Sequence, residues 1–191
     1  NLLSTLPKKE LANGMAELVK HALIKDRDFF RFLEKNMDKI FGLEPKILSH
    51  AIKRNCEIKA QIVMQDEKEK GIRKILNYGH TIGHAIESAV NYGISHGDAV
   101  AIGMSYAAKM SVKLGFLSEG DAIRQNNLLS YIGLPHKLSH HKLKPGKILE
   151  RVQYDKKIVN GKINFVLLNS IGDAFISDKV TLEDIKNILE E

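Results

Sequence analysis

Residues 77–103 read NYGHTIGHAIESAVNYGISHGDAVAIG, and the rest of the chain is best understood from them. His80 and His84 stand four residues apart in a segment with helical spacing, so they share a face. His96 follows just ahead of a second helix that Gly97 and Asp98 open. A single helical histidine is ordinarily a core or surface residue. A GHxxGH pair beside a third histidine at a helix start departs from that pattern, and the spacing suits a divalent metal. Gly79, Gly83 and Gly97 flank the imidazoles and remove side-chain bulk there, as a buried metal or substrate would require.

Upstream of this stretch the sequence predicts three helices. After a short turn over residues 1–7, Lys8 to Asp26 carries an apolar stripe of Leu11, Met15, Leu18, Val19 and Ala22. Asn13, Glu17, Lys20 and Ile24 project to the other side, where Glu17 and Lys20 are i, i+3 neighbours. A second helix over Arg27 to Phe41 offers Phe29, Phe30, Leu33, Met37 and Ile40 to a core. A third begins at Pro45, which suits a first-turn position, and runs to about Gln65. Its apolar arc of Ile47, Leu48, Ala51, Ile52, Cys56, Ile58, Ile62 and Val63 takes in Asn55 and Lys59. A lysine within such an arc either reaches out to water or meets an anion. The charged run QDEKEKGIRK over residues 65–74 reads as a loop feeding the histidine helix, which sets Glu69 and Arg73 near Asn77 and His80.

Downstream, the helix after His96 extends to Leu114 with Gly115 at its C-terminal end, and Ser118 caps another that runs to Ile132. Residues 133–145 are loop-like; His136, His140 and His141 there lack an accompanying carboxylate or thiol and read as surface residues. A short helix over Pro145 to Gln153 leads through Asp155, Lys156 and Lys157 to a hairpin, Lys162 to Leu168 and Ala174 to Ser177. Thr181 with Asp184 caps a final helix. The fold class is therefore mainly α with a small β-hairpin.

Composition narrows the function classes. With 43% hydrophobic and 27% charged residues the chain is that of an ordinary globular protein, and no run of 18 apolar residues suggests a membrane span. Cys56 is the single cysteine, which points to a reducing, cytoplasmic compartment. The net charge of +6 is dispersed, aromatics are only 6% and Trp is absent, so nucleic acid is not the expected partner. A phosphorylated or carboxylated small substrate accounts for the positive excess equally well. The chain starts at Asn1, without methionine and at what reads as an element boundary, so a piece of a longer protein is expected.

Five separated motifs in order, GMAELVK, the QDEKEKGIR loop, NYGHTIGHAIE, HGDAVAIGM and DKK with its hairpin, resemble the C-terminal, helical domain of the 3-dehydroquinate synthase family. The resemblance implies one domain over residues 1–191. It also implies that the family's N-terminal Rossmann-like domain, which holds most of the NAD, has no counterpart in this chain. No GxGxxG turn is present. It implies zinc, or cobalt in its place, on Glu17, His80 and His96, a carboxylate and two imidazoles with an open position of the catalytic kind. His84 and Glu69 take proton-transfer roles. Lys20, Lys59, Arg73, Asn77 and one lysine of the DKK motif, taken as Lys156, contact substrate; Leu2, Leu3, Ser4 and Thr5, with Asn13, contribute to the NAD contact. HGD replaces the commoner HGE, at a position that is not itself a ligand.

The reaction implied is conversion of 3-deoxy-D-arabino-heptulosonate 7-phosphate to 3-dehydroquinate and phosphate in the shikimate pathway. It runs by transient oxidation at NAD, phosphate elimination, return of the hydride and ring closure. This chain carries the zinc and substrate half and is expected to be inactive without the NAD-binding domain. A homodimer is expected by the same resemblance. Three other readings stay open. Another sugar-phosphate cyclase would differ at the positions of Asn77 and His84. A metal-dependent polyol dehydrogenase would have no use for Lys59 and Arg73 as phosphate partners. A non-catalytic helical domain with structural zinc would need four closed ligands.

Overall fold

The structure, a computed structural model, describes residues 2–91, 93–141, 143–154, 158–159 and 162–191. Asp155, Lys156 and Lys157 therefore lie outside the described residues. A 3-10 turn over Leu2–Thr5 leads to α1 (Lys8–Lys25), α2 (Arg27–Phe41) and α3 (Pro45–Gln65). A second 3-10 segment, Ile72–Asn77, precedes α4 (His80–Ala89) and α5 (His96–Lys113); α6 (Glu119–Ile132) and α7 (Pro145–Tyr154) follow. Two antiparallel pairs come next, β1 (Ile158–Val159) with β2 (Lys162–Ile163) and β3 (Phe165–Ser170) with β4 (Asp173–Ser177), before α8 (Leu182–Glu190). The chain is mainly α with a small hairpin, as the sequence predicts. Lys162 and Ile163, expected to open the main hairpin, pair instead with Val159 and Ile158.

Helix α5 is the centre of the molecule. Small and apolar residues surround it on every side, and a helix apolar all round is stable only when buried. From Gly97 to Ala108 all but Tyr106 are buried, and α1, α4, α6, α8 and β3 pack against it. Glycines set how closely its neighbours approach. A Cβ at Gly103 would overlap the Gly79 carbonyl, and one at Gly83 would lie 3.2 Å from the Ala99 carbonyl oxygen. At Gly97 a Cβ would stand 2.6 Å from the Asn13 Cα, so this glycine lets α5 reach α1. Gly79, Gly83 and Gly97 thus make room for neighbouring backbone and for Met104, not for a ligand beside the imidazoles. That corrects the expectation drawn from their position in the sequence.

Two further differences have simple causes. Helix α3 packs on α1 and α2 by a narrow face of Leu48, Ala51, Ile58 and Ile62, which leaves Ile52, Cys56 and Lys59 of the expected arc exposed. The expected loop over residues 65–74 becomes 3-10 from Ile72, where Ile75 buries its side chain. Below it the Tyr78 hydroxyl donates to Gln125 Oε1 at 2.8 Å, and Gln125 Nε2 donates to the Met104 carbonyl at 2.9 Å. These bonds satisfy fully buried polar groups and tie the start of α4 to α6 and α5. The β3–β4 turn is anchored at Gly172 (φ +90), whose N–H donates to the Leu23 carbonyl at 2.7 Å.

Candidate functional site

Three helices each bring one donor to the same place. Glu17 comes from the middle of α1, His80 is the first residue of α4 and His96 the first of α5. The His96 end is fixed by Ser95, whose hydroxyl accepts from the Asp98 N–H at 3.2 Å and donates to Asn13 Oδ1 at 2.7 Å on α1. One donor atom from each of Glu17, His80 and His96 lies within 4.8 Å of the others, and His80 Nε2 stands 4.0 Å from Glu17 Oε1. A tetrahedral zinc with bonds of about 2.0–2.1 Å sets its donors about 3.3 Å apart, so the three donors stand slightly wider than a bound ion would draw them. The chemistry of the donors agrees. His80 Nδ1 lies 3.2 Å from the Tyr78 carbonyl oxygen and His96 Nδ1 lies 3.1 Å from Glu87 Oε1. Both oxygens only accept, so each hydrogen bond places the proton on Nδ1 and leaves the Nε2 lone pair for a metal. His84 is exposed, with its ring centroid 5.1 Å from that of His80 and 6.4 Å from that of His96.

The charges favour the protonation states a cation needs. Burial would raise the Glu17 carboxyl, but the Lys20 ammonium, 2.8 and 3.0 Å from its two oxygens, outweighs burial and holds it below its ordinary value. Burial, helped by Lys20, pushes His80 down to about 3, so its imidazole is neutral at physiological pH. Lys20 is itself 3% exposed and its pKa is lowered by burial, with Glu17 opposing. Behind Glu17, the buried His21 donates its Nδ1–H to Asn55 Oδ1 at 2.6 Å; burial and Lys20 lower its pKa.

Beside this cluster, the turn after α3 is built on Asp66. Its carboxylate accepts from the N–H groups of Lys70 (3.0 Å), Gly71 (2.7 Å) and Arg73 (3.1 Å), and the Gly71 bond leads in holding its pKa low. The turn puts Glu69 in the left-handed region at φ +54, a conformation that a non-glycine residue keeps only when its surroundings impose it. Asn77 Nδ2 donates to Glu69 Oε1 at 3.1 Å, and both line a cavity of about 260 Å³ with Lys74, Thr81 and Val166. Arg73 Nη1 donates to the Glu67 carbonyl at 2.7 Å. Lys59 is exposed on α3, near enough for its charge to depress Lys20 and His21. A larger cavity, about 640 Å³ between α5, α6 and α8, is lined in part by His136 and by none of the residues expected to bind metal, substrate or NAD.

Of those residues, the structure gathers Glu17, Lys20, His80, His84 and His96 into one cluster, and pairs Glu69 with Asn77. Leu2 to Thr5 form the N-terminal 3-10 turn, exposed except for half-buried Leu3, and Asn13 is half-buried against Ser95. Among the described residues the sheets are two-stranded and antiparallel, with no parallel Rossmann-type sheet. Sequence reasoning missed Asp66, which holds the Glu69 turn, Glu87, which meets His96, and His21, the partner of Asn55 behind Glu17. Only Ser95, three residues before Asp98, carried a readable signal, that of a helix N-cap.

Known proteins resemble this chain over nearly its whole length. Residues 14–158 match the family described as 3-dehydroquinate synthase C-terminal. The chain is 44% identical over 190 residues to the 3-dehydroquinate synthase of Thermodesulfovibrio yellowstonii, and 43% identical over 189 residues to that of Dehalococcoides mccartyi strain CBDB1. Each match covers 99% of this chain, which spans about half the length of these curated relatives. A structure of 2-epi-5-epi-valiolone synthase from Streptomyces hygroscopicus subsp. jinggangensis 5008, with NAD+ and Zn2+ bound, superimposes with a TM-score of 0.88. The two are 26% identical, and the match covers 98% of this chain and 52% of that one. A 2-deoxy-scyllo-inosose synthase complexed with carbaglucose-6-phosphate, NAD+ and Co2+ gives 0.82 at 32% identity, covering 97% and 52%.

Proposed function

The chain belongs to the 3-dehydroquinate synthase family, over its C-terminal part, and on that premise we propose that it is the metal- and substrate-binding half of a 3-dehydroquinate synthase. The substrate is 3-deoxy-D-arabino-heptulosonate 7-phosphate, and the products are 3-dehydroquinate and phosphate. The observation that carries the reading is the convergence of Glu17, His80 and His96 from three helices onto one point. A divalent zinc or cobalt ion held there would polarise a substrate hydroxyl, and NAD would take up a hydride and give it back.

The chain's own residues account for the rest. Lys20, Lys59 and Arg73 supply positive charge for the phosphate and carboxylate, a stronger pairing than neutral hydrogen bonds give. Lys20 is buried and already paired to Glu17, so an approaching substrate anion competes with that carboxylate. Asn77, held by Glu69, orients a substrate oxygen. Glu69 and His84 move protons, and their exposure leaves both accessible to substrate. Lys156 of the DKK motif adds a further substrate cation. Leu2 to Thr5 and Asn13 border the NAD, most of which a Rossmann-like domain of the longer protein would hold. The active form is a homodimer in the cytoplasm, and the helical half alone is inactive.

The test is phosphate release from the heptulosonate phosphate by the longer protein with NAD and zinc present. Release without accumulating NADH supports the proposal. Absence of release, with turnover of sedoheptulose 7-phosphate or glucose 6-phosphate instead, would move the chain to another sugar-phosphate cyclase like the two solved neighbours.

A further inference from the structure

We propose that Glu87 is a positioning residue for His96: its carboxylate accepts the Nδ1–H of His96, fixes the ring and its tautomer, and presents Nε2 to the metal. The inference rests on the metal reading of Glu17, His80 and His96. Of the two imidazoles, His96 is the one in need of support. His80 is 11% exposed at its side chain and is held by the Tyr78 carbonyl, a backbone group that cannot turn away. His96 is 51% exposed, so packing alone does not orient its ring.

Glu87 supplies what packing does not. It lies seven residues after His80 on α4, two turns along the same stripe that carries His84. Its side chain is only 12% exposed, and it meets His96 Nδ1 at 3.1 Å across the gap between α4 and the start of α5. A carboxylate drawn so far out of water needs a donor, and the imidazole N–H is one. The bond works in both directions. It fixes the proton on Nδ1, so Nε2 keeps its lone pair, and the adjacent negative charge makes that nitrogen a better donor to a cation. The bland alternative is a tether that closes the α4–α5 connection, which would cost stability when removed but leave the ring's tautomer and the metal unaffected.

The experiment uses the full chain of the protein with Glu87→Gln, Glu87→Ala and, as reference, His96→Ala. Zinc affinity is measured by chelator competition, and the His96 tautomer in the metal-free protein is read from ring nitrogen shifts by NMR at pH 8. Glu87→Ala should weaken zinc by about 10–100-fold, the usual effect of losing such a partner. His96 should shift from pure Nδ1–H toward a mixture. Glu87→Gln, which still offers an oxygen but no charge, should fall between parent and Ala, and it carries the test if the Ala variant fails to fold. The proposal is overturned if Glu87→Ala folds and keeps both the Nδ1–H tautomer and zinc affinity within about twofold of parent. Zinc that is lost in His96→Ala but unmoved in Glu87→Ala overturns the Glu87 role and leaves the metal reading standing. A parent that binds no zinc, with the tautomer still shifting, refutes the metal reading and retains the pairing.

Discussion

Replacing Gly97 by Ala should damage the site without touching a ligand. A Cβ built there lies 2.6 Å from the Asn13 Cα and 2.7 Å from the Asn13 carbonyl oxygen, both backbone atoms of α1. Carbon atoms rest about 3.5–4.0 Å apart, so the start of α5 must retreat from α1 by about 1 Å. His96 is the preceding residue and moves with it, away from Glu17. Overpacking of this kind costs about 1–3 kcal/mol, which in a domain of this size lowers the thermal midpoint by about 2–12 °C. Metal sites tolerate errors of about 0.2 Å in ligand distance, so zinc affinity should fall as well. Gly120, near the start of α6, has only the Ser118 hydroxyl at 3.9 Å near such a Cβ, and Gly120→Ala should be neutral or slightly stabilising with zinc unchanged. Thermal denaturation and chelator competition on both variants make the comparison. Parent-like stability and zinc affinity in Gly97→Ala would refute the claim that this glycine sets the α1–α5 distance.

Other consequences follow from the same geometry. Asp66→Ala removes the acceptor of three backbone N–H bonds and should release the Glu69 turn, which hydrogen exchange at Lys70, Gly71 and Arg73 would report as lost protection; unchanged exchange would show that the turn holds itself. His80 is held neutral well below its ordinary 6.5, so below that pH the unfolded chain binds a proton that the folded chain refuses. Stability of the metal-free protein should therefore fall as pH drops from 6.5 toward about 3, and urea midpoints at pH 7 and 5 should differ less in His80→Gln. A steeper pH dependence in that variant would contradict the assignment. Tyr78→Phe leaves buried Gln125 Oε1 without its donor and should cost about 1–3 kcal/mol by denaturant unfolding, whereas a neutral effect would mean Gln125 finds another partner.

Much of the helical frame was legible because its signals are local. The caps at Ser118 and Thr181, the start at Pro45 and the apolar face of α2 fall where the sequence places them. Lys59 shows the limit. A helical wheel records which residues share an arc but not how wide a face the neighbours cover, and α1 and α2 cover only part of α3. From the sequence alone Gly79, Gly83 and Gly97 read as room for a ligand, while the space they leave is filled by α5 beside Gly79 and Gly83 and by the backbone of α1 beside Gly97. That distinction depends on contacts 16 or more residues away in the chain. The grouping of Glu17 with His80 and His96 likewise came through family resemblance, since 63 residues separate Glu17 from His80. Glu87 and Asp66 were invisible for a related reason: an acid that holds another side chain or a turn has no spacing of its own to announce it.

The central claim is that Glu17, His80 and His96 hold one divalent metal ion. The most direct measurement is anomalous diffraction at the zinc edge from crystals grown with zinc. The account predicts a strong peak about 2.0–2.2 Å from a Glu17 oxygen, His80 Nε2 and His96 Nε2. A peak at other side chains, or none at these three in crystals where zinc is bound elsewhere, would contradict it.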